Sequence, residues 1–307
     1  MTPADAEETY RARSRAGAFA AMLYRDKFAS VSVAILIVVL LSAIFGPPLV
    51  GHYATSINLK ARLAPPFSME QGWVFFLGAD TLGRSILARI IVASRNTVAI
   101  AGSAVLVAMV VGTTLGLVAG LSRGFVSTVI MRVADILMSF PSLLLAVVVL
   151  YVFEPRVGNV VIVLAITRLP VYIRVVRAEV LEVRERMFVL AAQVLGASKG
   201  RIIRRHILPV VAPTLLTVST LELAFIMLAE SSLSFLGLGI QPPEISWGLM
   251  VANGRNYLTS AWWPAFWPGL AIMLTTVALT LLSNWLRIAT DPKQRWRLES
   301  FARKTPA

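Results

Sequence analysis

Six stretches of the chain, at 28–50, 97–121, 133–153, 157–176, 210–229 and 264–288, stay apolar over roughly the 20 residues a helix needs to cross about 30 Å of hydrocarbon. No other sequence feature restricts the fold as strongly. Leu, Ile and Val each favour insertion by roughly 0.3–0.6 kcal/mol at a span centre, so most of these segments insert readily. The fourth and fifth also carry charge. Composition agrees, with 57% hydrophobic and 15% charged residues and a mean hydropathy of +0.75. Soluble domains are about half apolar and one quarter charged. The first run follows a basic tail (Arg11, Arg13, Arg15, Arg25, Lys27). It is too long for a cleaved signal and reads as a retained first span.

Lys and Arg set the expected orientation. With the N-terminus inside, the inner segments hold 21 of these residues: five before 28, Arg123 and Arg132, eight between 174 and 205, and six from Arg287 on. The outer segments hold seven, and Arg168 lies within a span. Basic residues collect on the cytoplasmic side, so both termini are expected there. The same rule accounts for the net charge of +13 without nucleic acid. The chain has no cysteine, and its two histidines, His52 and His206, lie far apart, so no metal site is expected.

Gly112, Gly116 and Gly120 form two overlapping GxxxG units on one face of the second span, a groove suited to close helix packing. Beyond the fifth span, Pro242 and Pro243 disfavour a regular helix. Trp247, Trp262 and Trp263 suit the headgroup region, so this outer loop is expected to lie against the membrane surface. On the inner side, the run RMFVLAAQVLGASKGRIIRRHILP occupies 186–209. Its apolar part is too short to span and must be covered by a partner or by its own bundle. Gly196 can close one helix, Ser198 can cap a second, basic one carrying Arg201, and Pro209 can end that helix or open the fifth span.

This run resembles the coupling loop of ABC importer permeases, whose pattern is Glu-Ala-Ala, three residues, Gly, then Leu-Pro. Ala191, Ala192, Gly196, Leu208 and Pro209 match, whereas Leu190 stands where the family has glutamate. LGADTLGR at 77–84, with Asp80, Gly83 and Arg84, is similar to the motif ahead of the second span in the dipeptide, oligopeptide and nickel permeases. RVAD at 132–135 with Asp135, followed by Phe140 and Pro141, resembles their third-span signature. ESSLSFLGLGIQPP at 230–243, opening on Glu230, and SWG at 246–248, containing Trp247, form the strongest match, to the second or C-type subunit.

The resemblance implies an all-α integral membrane protein with six transmembrane helices and a cytoplasmic helical coupling loop, the type I importer fold. It divides the chain into a tail (1–27), a first helix with an extracytoplasmic segment (28–92), a permease domain (93–288, coupling loop about 186–209) and a second tail (289–307). It places the chain in a bacterial or archaeal inner membrane. It also implies a homologous permease as heterodimer partner, two ATPase subunits and an extracytoplasmic binding protein, with lipid around the spans. No GxxxxGK[ST] phosphate loop occurs, so the chain is expected to be non-catalytic, to carry no cofactor and to leave Mg-ATP to the ATPase subunits. The expected cargo is di- or oligopeptides. Nickel chelates or other small solutes are alternatives within the family.

Arg168 and Glu222 lie deep in the fourth and fifth spans. Each costs roughly 2.5–3.5 kcal/mol at the bilayer centre and calls for a partner or water. An ion pair locking two helices, a polar lining of the pathway, and separate snorkelling all satisfy that demand. The pair could also serve an ion-coupled secondary transporter, which leaves 187–209 unexplained. A membrane-embedded enzyme lacks a nucleophile–base or metal-ligand constellation.

Overall fold

The computed structural model describes residues 17, 22–68, 71–154 and 156–290. Arg11, Arg13, Arg15 and the C-terminal segment 291–307 lie outside the described residues, so most of both expected tails does too. A backbone in hydrocarbon must satisfy its own polar groups, and the described chain does so with helices. Five are long: α1 (Lys27–Thr55), α2 (Ile86–Leu121), α5 (Val157–Val183), α8 (Leu208–Phe235) and α10 (Trp263–Thr290). At 27 to 36 residues they reach about 40–54 Å, more than the hydrocarbon thickness. Asp26 caps α1 by accepting from the Ala29 N–H at 3.1 Å, and the Ser85 hydroxyl caps α2 through Ala88 at the same distance.

The third segment departs from the single helix expected over 133–153. It consists of α3 (Phe125–Ser139) and α4 (Ser142–Val152), bent by 89°. Pro141 is the cause, since it lacks an N–H and pushes the preceding residue out of helical geometry. Phe140 sits at φ −93°, ψ 138° and Pro141 at φ −56°, ψ 121°. Neither piece, at about 22 and 16 Å, crosses alone; counted together as one bent span they bring the five long helices to six candidate membrane segments.

Helices α2 and α5 pack through the glycine face. A Cβ on Gly112 would stand 2.5 Å from the Tyr172 Cβ, one on Gly116 2.7 Å from the Val176 Cβ, and one on Gly120 2.6 Å from Val180. Tyr172, Val176 and Val180 are fully buried. Between helices in lipid the hydrophobic effect supplies little, so this close van der Waals contact is what joins them. In α1 most apolar side chains remain exposed, and its small residues Ala43, Gly46 and Ala54 face the bundle.

Two loops fold together at one end. The segment after α1 contains 3₁₀ turns at Leu59–Ala61 and Trp73–Phe75. The loop after α8 corrects the surface expectation. Past the two prolines it forms α9 (Trp247–Gly254), capped by the Ser246 hydroxyl, and this helix is buried. Trp247 is 1% exposed, and its indole N–H donates to the Ile90 carbonyl at 2.9 Å. Trp263 is buried too and donates to Ala79 at 3.1 Å, leaving Trp262 as the half-exposed member of the three.

Candidate functional site

The opposite end carries Arg184, Arg186, Lys199, Arg201, Arg204 and Arg205. Here α6 (Met187–Val194) projects as a short apolar helix. Val189 is fully buried and anchors it, while Met187, Val194 and Leu195 are more than 80% exposed. Phe188, Leu190 and Ala191 are exposed as well, and Ala192 is half-buried. Gly196 ends the helix at φ +79°. Its N–H donates to the Gln193 carbonyl and that of Ala197 to Ala192, both at 3.0 Å, which closes a Schellman turn.

Beyond the turn the geometry differs from the two-helix expectation. Ser198 occupies the N-cap position, yet its side chain makes no capping bond. The one-turn α7 (Lys199–Ile202) passes through a π-helical stretch, Ile203–Ile207, directly into α8, so 199–235 forms one helical column. The wider π turn precedes Pro209, which falls in the first turn of α8 where its missing N–H is tolerated. Leu208 continues the column into the membrane, and Arg201 faces solvent beside α6. Pro209 therefore opens the span and ends nothing.

At mid-membrane, Arg168 Nε stands 3.5 Å from Glu222 Oε2, an ion-pair distance between α5 and α8. Neither atom has a hydrogen-bond partner among the described residues. The guanidinium also lies over the Phe225 ring, 5.3 Å from its centroid.

The far-end motifs gather into two knots. Asp80 accepts from the backbone N–H groups of Leu82 and Arg84, each at 2.9 Å, and its other oxygen binds the Arg84 guanidinium at 2.7 Å. Gly83 holds the turn at φ +71°, where a Cβ would run into the Asn58 carbonyl. Arg89 joins this knot, 3.5 Å from Asp80 and donating to Ala54 at 3.2 Å. In the second knot Glu230 is fully buried and accepts from the Ser234 and Ser246 hydroxyls at 2.7 and 2.9 Å. Because Ser246 also caps α9, Glu230 indirectly positions Trp247. A cavity of about 330 Å³ lies between the Asp80 knot and the C-terminal end of α9, lined by Asp80, Arg84, Arg89, Met250, Asn253 and Tyr257. Asp135 instead pairs with Arg174 on α5 at 2.6 Å, half-exposed, and Pro141 marks the bend.

Sequence reasoning missed Arg89, Ser234 and Ser246. Arg89 gave no signal, because the sequence places it in the outer segment ahead of a span starting at 97, and only the structure extends that helix back to Ile86. Ser246 directly preceding an apolar run had the character of an N-cap.

Residues 112–296 match the family described as the binding-protein-dependent transport system inner membrane component. The chain belongs to that family. Residues 16–66 further match the N-terminal transmembrane domain of oligopeptide transport permease C. Among similar proteins, a probable D,D-dipeptide transport permease of Escherichia coli K12 is 36% identical over 89% of this chain and 90% of its own length. A di/tripeptide permease of Pseudomonas aeruginosa is 38% identical over 84% and 86%. A glutathione permease of Pectobacterium atrosepticum is 39% identical over 71% and 72%. As a member of these permeases, the chain is an inner-membrane subunit of an ATP-driven importer.

Proposed function

We propose that this permease forms half of a pathway for di- and oligopeptides, with a homologous permease as the other half. Two ATPase subunits bind at the basic end and hydrolyse Mg-ATP, and an extracytoplasmic protein delivers cargo at the far end. The peptide relatives support the substrate class. The 21-to-7 distribution of basic residues supports placing both termini and α6 in the cytoplasm.

The observation that carries the proposal is the exposed apolar face of α6 between charged flanks. Apolar surface in water calls for a cover, and a groove on an ATPase subunit supplies one. The one-helix column from Lys199 to Phe235 explains how motion there reaches the pathway. A shift of α6 during ATPase closure moves the base of the same column that carries Glu222 and Glu230. At Leu190 the family's glutamate is replaced by an apolar side chain, so apolar contact carries this joint.

Ala192→Asp tests the assignment. The carboxylate would have to be desolvated in the groove, at a cost of about a few kcal/mol. The expected outcome is a chain that still enters the membrane but no longer co-purifies with its ATPase subunits or supports transport. Wild-type transport by this variant would remove the coupling assignment.

A further inference from the structure

The Arg168–Glu222 contact is poor as a structural lock. A buried pair offsets its desolvation only when the geometry is good and the remaining polar positions are filled. Here Glu222 is 4% exposed, the approach is 3.5 Å, and both facing atoms lack hydrogen bonds among the described residues. Neighbouring polar groups are better served. The Tyr172 hydroxyl donates to Ser219 at 3.1 Å, and the Ser219 hydroxyl to the Met109 sulfur at 3.3 Å. A buried carboxylate oxygen beside a guanidinium nitrogen, both without a hydrogen bond among the described residues, therefore needs another explanation.

Position supplies it. Counted from the basic end, Arg168 lies fifteen residues up α5 and Glu222 fourteen up α8, about 22 and 21 Å along the axes. Both are near the middle of their helices. The guanidinium is not sealed in: the Arg168 side chain keeps 19% exposure and leans over Phe225, itself 45% exposed. A cation at this depth does not face hydrocarbon, so this face borders water or protein.

We infer that Arg168 is a recognition point for a carboxylate of the translocated solute, with Glu222 as the displaceable internal counter-ion. The inference rests on the importer reading above and assigns the site to the free α-carboxylate of a peptide. The guanidinium offers a planar fork of N–H donors that matches a carboxylate bidentately, and Phe225 offers an apolar, π-rich neighbour. Between turnovers Glu222 supplies enough negative charge to make the cation tolerable. Because that contact is not hydrogen-bonded, an incoming carboxylate can replace it, and Glu222 can reclaim the guanidinium as the solute leaves. A pathway needs such binding to be weak enough to release.

The test uses the complete complex, with both permeases, ATPases and loaded binding protein, reconstituted in vesicles. Uptake of a free dipeptide and of its C-terminal amide is measured beside assembly and ATP hydrolysis. Loss of a charge-assisted contact is expected to cut free-dipeptide uptake by about tenfold or more in Arg168→Gln, leaving the amide rate at its wild-type value. Arg168→Lys keeps the cation and should retain much of the uptake. The paired change Arg168→Gln with Glu222→Gln removes both charges; it should assemble and hydrolyse ATP yet stay deficient for the free dipeptide. A paired variant that transports like wild type would show a lock and overturn the inference, as would equal slowing of both peptides in Arg168→Gln. A wild-type complex that assembles but carries no peptide overturns the peptide reading and the inference with it. Free-dipeptide uptake at the wild-type rate by the paired variant, in a system whose wild type carries peptide, overturns the inference alone.

Discussion

Two eight-residue helices flank the column at 199–235, and they differ in who covers them. Both are apolar, both lie outside the long spans, and both are closed by backbone bonds at their ends. In α9 the chain itself supplies the cover: Trp247, Gly248, Leu249, Met250 and Gly254 are buried, and Ser246, Glu230, Thr97 and Ile90 hold the helix in place. In α6 only Val189 is buried. An apolar helix that is satisfied within its own chain is a structural part. One left exposed between arginines is, on the proposed function, the surface an ATPase subunit covers.

The sharpest way to break this contrast is Trp247→Ala. Truncating a fully buried indole that also donates to Ile90 should cost about 3–5 kcal/mol. The purified complex should then lose most of its thermal stability, read as a lower melting temperature in detergent. A change no larger than that of an exposed α6 residue would show that α9 is not held by its own chain.

A smaller effect is expected from Ser246→Ala, which removes the α9 cap and one of the two hydroxyls serving Glu230. Together these losses should cost about 1–3 kcal/mol in the same melting experiment. Replacing Glu230 as well should add less than its single-variant cost, since the two residues share one contact. Full additivity would break the link between Glu230 and α9.

The smallest stability change belongs to α6. Met187→Ser with Leu195→Ser alters two exposed side chains and should move the melting temperature of the isolated permease pair by the equivalent of about 0.5 kcal/mol at most. ATPase co-purification should nonetheless fall, because the cover loses its apolar contact. Unchanged docking would make α6 as self-contained as α9.

The sequence by itself determined the solvent, the positions of the apolar segments and the family, because each depends on local composition or on an ordered string of motifs. Gly196 was legible as a helix stop since a left-handed residue there demands glycine. Arg168 and Glu222 were legible as a problem, because charge in hydrocarbon is costly wherever it points. The tertiary structure alone decided how each problem is met. It bent the third segment by 89° at Pro141, drew Trp247 inward against Ile90, and fused the basic segment with α8 through a π turn. It also left Arg168 and Glu222 close without a hydrogen bond. These outcomes depend on which surfaces meet across distant parts of the chain. Tryptophan suits a headgroup belt and a protein core equally well until a carbonyl 157 residues away accepts its N–H.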